Sequence, residues 1–266
     1  MNVRYALGVL LIATALSLTL VSGAHAARSV SIDCGATITS DTKLDRDLVN
    51  CPNNGIVIGA DNITLDLNGH VIDGDGTEFS ACPPDEPCDA GVVHFDRQGV
   101  TIKGGSVREF SLGVLVVGAT DNRVIDLAVS NNLFSGLLVA ESSHSEIERV
   151  SASANGLTTD RAGISIFDSS ELTIAQNAVF ENGDIGFFIG GLDDSSIEKN
   201  LISGNPEAAI ILEGSGNELS HNASGRATTA SSSSATRIES LETGSPAPAA
   251  QATAASASRS RVGPAT

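Results

Sequence analysis

Between residues 113 and 212, a small residue followed by apolar–any–apolar recurs at near-constant spacing. The motif reads GVLV at 113–116, GLLV at 136–139, GISI at 163–166, GFFI at 186–189 and AIIL at 209–212. Two earlier copies read GIVI at 55–58 and GVVH at 91–94. From Gly91 onward the intervals between the small residues are 22, 23, 27, 23 and 23. Self-similarity at a fixed period of this length is typical of a solenoid.

Each period contains three short apolar segments, as at Ile164/Ile166, Leu172/Ile174 and Val179. The apolar residues alternate at period two, which indicates strands, and Gly, Asn, Asp and Ser separate them. Three such strands bury their apolar sides only when coils stack. We therefore predict an all-β fold, a right-handed parallel β-helix of about seven coils with three short strands per coil. A β-sandwich is the alternative, but it requires hairpins at an even 8–12-residue spacing.

Asparagine recurs in two fixed phases of the repeat. The first phase holds Asn132, Asn155, Asn182 and Asn205, and the second holds Asn177, Asn200 and Asn222. Stacked amides can hydrogen-bond along a ladder, and asparagine tolerates tight turns. We interpret these asparagines as structural.

The segments outside the repeat differ in composition. Residues 1–26 are predicted to be a signal peptide, since Arg4 precedes an apolar run and Ala24-His25-Ala26 offers a cleavage pattern. A retained membrane anchor is the alternative. Cleavage would export the protein (secreted, periplasmic or at the cell surface) without a membrane contact in the mature form. Residues 27–54 are predicted to cap the helix, 55–222 to form it, and 223–266, rich in Ala, Ser, Thr and Pro, to be a disordered low-complexity tail.

The four cysteines, Cys34, Cys51, Cys82 and Cys88, lie beyond the predicted signal peptide. An even number in an exported chain predicts two disulfides. Local pairing favours Cys34–Cys51 and Cys82–Cys88, although three pairings are possible. No C-x-x-C motif supports a metal site instead.

An acidic insertion at 73–90 interrupts the repeat between its first two coils. Asp73, Asp75 and Glu78 could offer oxygens to calcium, but their spacing only partly resembles a calcium loop. The alternative is a solvated acidic loop. No other cofactor is required by the sequence.

The chain resembles exported right-handed parallel β-helix proteins of the pectin-lyase-like superfamily. The resemblance is carried by the stretch from Cys34 to Cys51 and by GADNITLDLNGHVIDG at 59–74, and it extends over about residues 30–222. It implies the fold and leaves the activity open, because the superfamily includes polysaccharide lyases, hydrolases, epimerases, tailspikes and copper-site maturation proteins. Copper would require clusters of Met, His or Cys, which the scattered histidines do not form.

Lyase or epimerase chemistry needs a base and a cation to neutralise the substrate carboxylate. His94, Arg97, Lys103 and Arg108 form the one basic cluster in the acidic body and are the candidate catalytic residues. The sequence favours scattered solvated charges over a catalytic cluster at these four positions. The paired carboxylates of a hydrolase are matched only by Asp193-Asp194, and we interpret this pair as a turn between strands.

The middle residue of each first strand should face outward, and there the sequence is mostly apolar, including Leu115, Leu138, Phe188 and Ile211. An apolar outward row favours contact with protein. Surfaces that bind sugar rings favour Trp and Tyr. The chain has no tryptophan and one tyrosine. A net charge of −17 disfavours nucleic acid.

We therefore predict an exported, non-catalytic β-helix protein that binds carbohydrate or acts as a cell-surface scaffold. The alternative is a polysaccharide lyase, epimerase or glycoside hydrolase acting on extracellular, including uronate-containing, polysaccharide. A truncated paralogue without independent function is the third hypothesis.

Overall fold

The chain folds as a stack of parallel coils. The computed structural model describes residues 32–77, 89–156, 162–225, 229–231, 237–238 and 241–242. In these ranges the chain consists of strands and turns, and no helix long and apolar enough to cross a membrane is found among them. The strands are β1 (Ala36–Ile38), β2 (Thr42–Lys43), β3 (Leu48–Cys51), β4 (Ile56–Ile58), β5 (Thr64–Asp66), β6 (Val71–Gly74), β7 (Ala90–Phe95), β8 (Thr101–Arg108), β9 (Leu112–Val117), β10 (Arg123–Ser130), β11 (Ser135–Ala140), β12 (Glu146–Glu148), β13 (Ser151–Ser153), β14 (Ala162–Ser170), β15 (Thr173–Ala175), β16 (Ala178–Phe180), β17 (Ile185–Asp193), β18 (Ser196–Glu198), β19 (Leu201–Ser203), β20 (Ala208–Ser215), β21 (Glu218–Ser220), β22 (Asn222–Ser224), β23 (Thr229–Ser231), β24 (Arg237–Ile238) and β25 (Leu241–Glu242).

The strands form two sheets that wrap one core. The first sheet contains the first strand of every coil, in the order β1-β4-β7-β9-β11-β14-β17-β20-β23. The second and third strands of the coils form a sixteen-stranded second sheet, because β8 and β10 run through the corner between them. Neighbouring strands pair in parallel, as in β9–β11 and β14–β17. The predicted right-handed parallel β-helix with three strands per coil is confirmed.

The stack has about eight turns, close to the predicted seven. The predicted coils begin with β4, β7, β9, β11, β14, β17 and β20. Before them, β1, β2 and β3 pair with β4, β5 and β6, so the segment predicted as a cap contributes a further coil in register. Its short strands lack the spacing of the later repeats, which is why the motif alone does not predict it.

Strand pairing continues beyond residue 222, where the sequence predicts a disordered tail. Strands β23, β24 and β25 pair with β20, β21 and β22. The last coil of a solenoid presents unpaired backbone donors and acceptors, which can pair with extended chain of almost any composition. Residues 243–266 and 1–31, including the predicted signal peptide, lie outside the described residues.

The core is one continuous apolar cluster. One column of register partners is fully buried in the seven coils that begin with β4 to β20: Ile56, Val92, Val114, Leu137, Ile164, Phe187 and Ile210. Burying a side chain of this size contributes about 1.5–3 kcal/mol. The repeated apolar–any–apolar motif therefore supplies the driving force for stacking, and its middle residue is left on the outside.

A disulfide joins Cys34 to Cys51 across the first coil, as predicted, with a Cα–Cα distance of 5.4 Å. Cys82 and Cys88 lie outside the described residues, so their pairing remains a prediction. The Cys34–Cys51 bond closes a loop with a sequence separation of 17 and constrains the unfolded chain.

Replacing both Cys34 and Cys51 with serine is expected to lower the free energy of unfolding by about 3 kcal/mol, because the cross-link reduces the entropy of the unfolded chain. Urea unfolding of the oxidised proteins measures this loss. A Cys82→Ser/Cys88→Ser variant is the matched control for removal of two cysteines. Equal unfolding midpoints for wild type and the Cys34/Cys51 variant would contradict the prediction.

Candidate functional site

The outward surface of the first sheet is apolar along nearly its whole length. The middle residues of its strands stack in one register column: Val57, Val93, Leu115, Leu138, Ser165, Phe188 and Ile211. We call this column the outer apolar row. Because side chains alternate along a strand and both neighbours of each row residue point into the core, the row points away from it. These are the positions that the sequence predicts to face outward.

Apolar side chains flank the row on the side where the strands end. Phe167 lies there and packs edge-on against Phe188, with ring centroids 5.6 Å apart and an interplanar angle of 78°. Val93 and Leu115 are buried, while Leu138 is partly exposed. The outward side of the first sheet therefore carries its own apolar cluster, separate from the core.

A serine pair lies within this outward surface. The hydroxyls of Ser135 and Ser165 are 3.2 Å apart, and the Ser135 hydroxyl donates to the carbonyl of Leu137 at 3.0 Å. Both serines are buried. Their polar groups are bonded within the sheet, so they interrupt the apolar character of the row without offering a free hydrogen-bonding group.

His94, a candidate base, lies in the core. It is the register partner of Ile58 and Val116, and its side chain is fully buried. Neither ring nitrogen makes a hydrogen bond to the residues that the structure describes. Burial lowers the pKa of the imidazole, so it is neutral at pH 7. A substrate outside the coil could not reach it.

Arg97 lies in the turn after β7. It lines a polar cavity of about 160 Å³ together with Asp61, Asp96 and Thr120. Two carboxylates and one guanidinium line it, so the local charge is negative. A polyuronate would meet repulsion at this cavity.

Lys103 and Arg108 both lie on β8 in the second sheet. Arg108 is bound by Asp73 of the preceding coil: its Nε donates to Oδ1 at 2.8 Å and its Nη2 to Oδ2 at 3.4 Å. These hydrogen bonds and the attraction of the carboxylate raise the pKa of Arg108. The four basic candidates thus occupy the core, a turn and the face of another sheet. They do not converge on one groove.

The calcium candidates lie at the start of the insertion. Asp73 is mostly buried and paired with Arg108, which neutralises its charge. Asp75 is exposed, and its Oδ1 accepts from the backbone N–H of Thr77 at 2.9 Å and from the Thr77 hydroxyl at 2.7 Å, which lowers the pKa of Asp75. Glu78 lies outside the described residues. Calcium at Asp73, Asp75 and Glu78 stays a prediction.

Asp89 is a buried carboxylate that sequence reasoning missed. It precedes β7 in a left-handed conformation (φ 60°) and is 4% exposed. The only signal was its place two residues before Gly91, which matches the place of Ser111 before Gly113. Ser111 is the residue to which it bonds in the next coil.

The asparagines of each phase hydrogen-bond from coil to coil. In the first phase, Asn132 donates to Asn155, which donates to Asn182, which donates to Asn205. In the second phase, Asn177 donates to Asn200, which donates to Asn222. All seven are at most 2% exposed. Their amides are satisfied by one another and by backbone groups, so they are not available to a ligand.

Comparisons with known proteins give one family match. The family model described as "Periplasmic copper-binding protein (NosD)" matches residues 68–236, well over half of the chain. No curated protein sequence matches the chain.

Among solved structures, three are similar at low sequence identity. They are bacteriophage CBA120 tailspike protein 2 (15% identity, TM-score 0.42, 71% of this chain and 38% of that chain), the A-module of the Azotobacter vinelandii mannuronan C-5 epimerase AlgE4 (16%, 0.41, 76% and 61%) and the catalytic domain of a GH87 α-1,3-glucanase (13%, 0.41, 77% and 51%). The chain covers less than two thirds of each of them.

Proposed function

The chain belongs to the NosD family, and on that premise we propose that it is an exported, periplasmic β-helix protein that acts as a non-catalytic scaffold. The observation that carries the proposal is the outer apolar row, through which the scaffold binds a protein partner. The partner presents a flat apolar surface to the row.

Three observations support the compartment. The sequence predicts a signal peptide at 1–26, and the family is described as periplasmic. The Cys34–Cys51 disulfide fits an oxidising compartment such as the periplasm.

A protein partner suits the row better than a sugar does. The row and its flanks contain Val, Leu, Ile and Phe, whereas the aromatic residues that stack on sugar rings and also hydrogen-bond are Trp and Tyr. The sole tyrosine, Tyr5, lies in the predicted signal peptide. Apolar patches at the surface of soluble proteins mark interaction sites, and Leu138, Phe188 and Ile211 of the row are partly exposed.

A non-catalytic role is supported by what the candidate basic residues already do. His94 is buried and neutral, Arg108 is bound to Asp73, and Arg97 lines a cavity that also contains two carboxylates. A base and a neutralising cation must lie within hydrogen-bonding reach of the same substrate. No observation favours the lyase, epimerase or hydrolase alternative.

Copper does not fit the residues at hand. Copper sites use clusters of Met, Cys and His. The sole methionine is Met1, Cys34 and Cys51 are disulfide-bonded, and His144 pairs with Glu171 at 2.9 Å. Over the described part of the chain there is no group of three or more His, Cys, Asp or Glu that could hold a metal. The proposed function therefore uses no copper.

Photo-crosslinking tests the row. With p-benzoylphenylalanine in place of Phe188, the protein exported in bacterial cells is expected to give one adduct of defined mass, because a bound partner lies within reach of the row. Phe180 is the matched control: it is also a partly exposed phenylalanine, but it lies on the third strand of its coil. We expect no adduct from position 180.

Leu138→Glu should reduce the adduct from position 188 at least tenfold, because a charge in an apolar contact must lose its hydration on binding. The melting temperature should stay within about 2 °C, since Leu138 is only partly buried. Leu201→Glu, at an exposed leucine on another face, is expected to leave the adduct intact. Adducts of equal yield from positions 188 and 180 would argue against the proposal.

A polysaccharide screen distinguishes the protein-binding scaffold from a protein that binds or cleaves polysaccharide. The purified protein is incubated with polyuronates and neutral glucans, with and without calcium. A scaffold for protein gives no ultraviolet-absorbing unsaturated product and no thermal shift. A thermal shift that Leu138→Glu abolishes would replace the protein partner by a glycan.

A further inference from the structure

Exposed carboxylates accompany the outer apolar row along the stack. Each of the seven coils that begin with β4 to β20 carries one or two of them between its row residue and its second strand. We call these residues the acidic corner: Asp61, Asp96, Asp121, Glu141, Asp168, Glu171, Asp193, Asp194 and Glu213. The row and the corner therefore run side by side.

Apolar side chains connect the acidic corner to the row. Phe167, which directly precedes Asp168, packs against Phe188 of the row with ring centroids 5.6 Å apart. Glu141 directly follows the end of β11 and lies three residues after Leu138 of the row. Since a strand advances about 3.3 Å per residue, the corner lies about 10 Å from the row. A single partner can therefore contact both.

The stacking of coils crowds the carboxylates together. Ala140 and Phe167 are register partners, and the backbone N–H of Glu141 donates to the carbonyl of Phe167 at 3.0 Å. Glu141 and Asp168 therefore occupy equivalent places on neighbouring coils, which are about 4.8 Å apart. Like charges opposite each other on neighbouring strands are destabilising. Cations supplied by a bound partner would relieve this repulsion.

The chain provides few cations of its own at the corner. Arg97 is the only lysine or arginine between a row residue and the second strand of its coil. Across the described residues, the one salt bridge that a corner carboxylate makes is the pair of Glu171 with His144 at 2.9 Å. Exposed carboxylates are ionised at pH 7. The corner thus presents uncompensated negative charge beside an apolar surface.

We propose that the partner of the outer apolar row is a basic amphipathic helix, which places apolar side chains on the row and lysine or arginine side chains against the acidic corner. The inference rests on the proposed function and names the chemistry of its partner. One turn of an α-helix advances about 5.4 Å, close to the coil spacing of about 4.8 Å, so successive turns meet successive coils. A helix about 10 Å wide also reaches from the row to the corner.

Charge distinguishes this partner from two other occupants. A second copy of the chain carries the same carboxylates and a net charge of −17, so two copies repel each other. A surface of anionic lipid repels the corner for the same reason.

Two synthetic peptides of about 18 residues are the probes, since a helix of that length spans about five coils. One has a leucine stripe flanked by lysines, and the other has glutamates in place of the lysines. Fluorescence anisotropy with the full exported chain is expected to show that the lysine peptide binds about tenfold more tightly. Sodium chloride at about 500 mM should reduce this preference, because salt screens exposed charges.

Glu141→Gln/Asp168→Asn is expected to weaken binding of the lysine peptide about threefold, because it removes two charges from the corner. Leu138→Ser, which removes an apolar contact without changing the charge, should weaken it as well. Asp45→Asn/Glu181→Gln is the matched control. It removes two exposed carboxylates that lie away from the corner, and it should bind like the wild type.

An absence of binding to the lysine peptide, or equal weakening by the corner variant and its control, overturns the inference. Binding that Leu138→Ser leaves intact overturns the use of the row. If both peptides bind equally and Leu138→Ser weakens both, the basic partner is overturned while the scaffold proposal stands. The adduct from position 188 in cells tests the scaffold proposal without reference to charge, so the two failures are distinguishable.

Discussion

Replacing Asn155 with alanine is expected to lower the free energy of unfolding by about 5 kcal/mol, a loss large enough to unfold many domains of this size. Asn155 is fully buried in the middle of the first asparagine ladder. Urea unfolding followed by circular dichroism measures the change.

The size of this effect follows from the groups that the substitution leaves unpaired. The side-chain oxygen of Asn155 accepts from the backbone N–H of Asn132 at 3.1 Å and from its Nδ2 at 2.9 Å. The Nδ2 of Asn155 donates to the carbonyl of Val129 at 3.0 Å and to Oδ1 of Asn182 at 3.0 Å. Alanine removes all four bonds, and each buried group left without a partner costs about 1–3 kcal/mol.

Asn131→Gly is the matched control. Asn131 is exposed and adopts φ 55°, which glycine also accommodates. Its stability should change by less than about 0.5 kcal/mol. If Asn155→Ala and Asn131→Gly unfolded at the same urea concentration, the ladder would have no role in stability.

The fold could be predicted from the sequence because every coil meets the same physical constraints. The small residue, the inward apolar pair and the ladder asparagine recur since each coil packs against a nearly identical one. The inward position of His94 also follows from the alternation in GVVH. His94 has the same position in this motif as Val116 has in GVLV of the next coil. His94 was a candidate base because imidazole is a common catalytic base, although its position in the alternating motif indicates burial.

Contacts between coils of unequal length could not be predicted in the same way. Asp73 and Arg108 are 35 residues apart, because the insertion lengthens that coil, and the repeat gives no register across it. The bond from Asp89 to Ser111 depends on the same corner of the structure. The pairing of strands beyond residue 222 could not be predicted for another reason. These strands pair through backbone groups, and amino-acid composition contains no information on such pairing.

The sequence predicts that the residues of the outer apolar row face outward, but it does not predict how they pack against one another. Period-two alternation places Leu138 and Phe188 outside the core, and register places them in one column. Whether neighbours cover such residues depends on packing across strands. The Phe167–Phe188 contact and the burial of Val93 come from this packing, and the motif does not contain them.

Gly113→Ala is expected to lower the free energy of unfolding by about 4 kcal/mol, at the upper end of the cost of overpacking. A Cβ added at Gly113 would lie 2.3 Å from the carbonyl oxygen of Gly136 and 2.8 Å from Nδ2 of Asn132. The first contact is with backbone of the next coil, so the coils themselves would have to separate. The second disturbs the ladder.

Gly225→Ala is the control for this prediction, because a Cβ at Gly225 meets nothing within 4 Å. It should shift the urea midpoint negligibly. If Gly113→Ala also shifted the urea midpoint only slightly, the distance between coils could increase at little cost in free energy. The recurring glycine would then need another explanation. A large shift for Gly113→Ala and a negligible one for Gly225→Ala would instead explain the recurring glycine by the distance between neighbouring coils. At hydrogen-bonding separation, the next coil leaves no room for a side chain at this position.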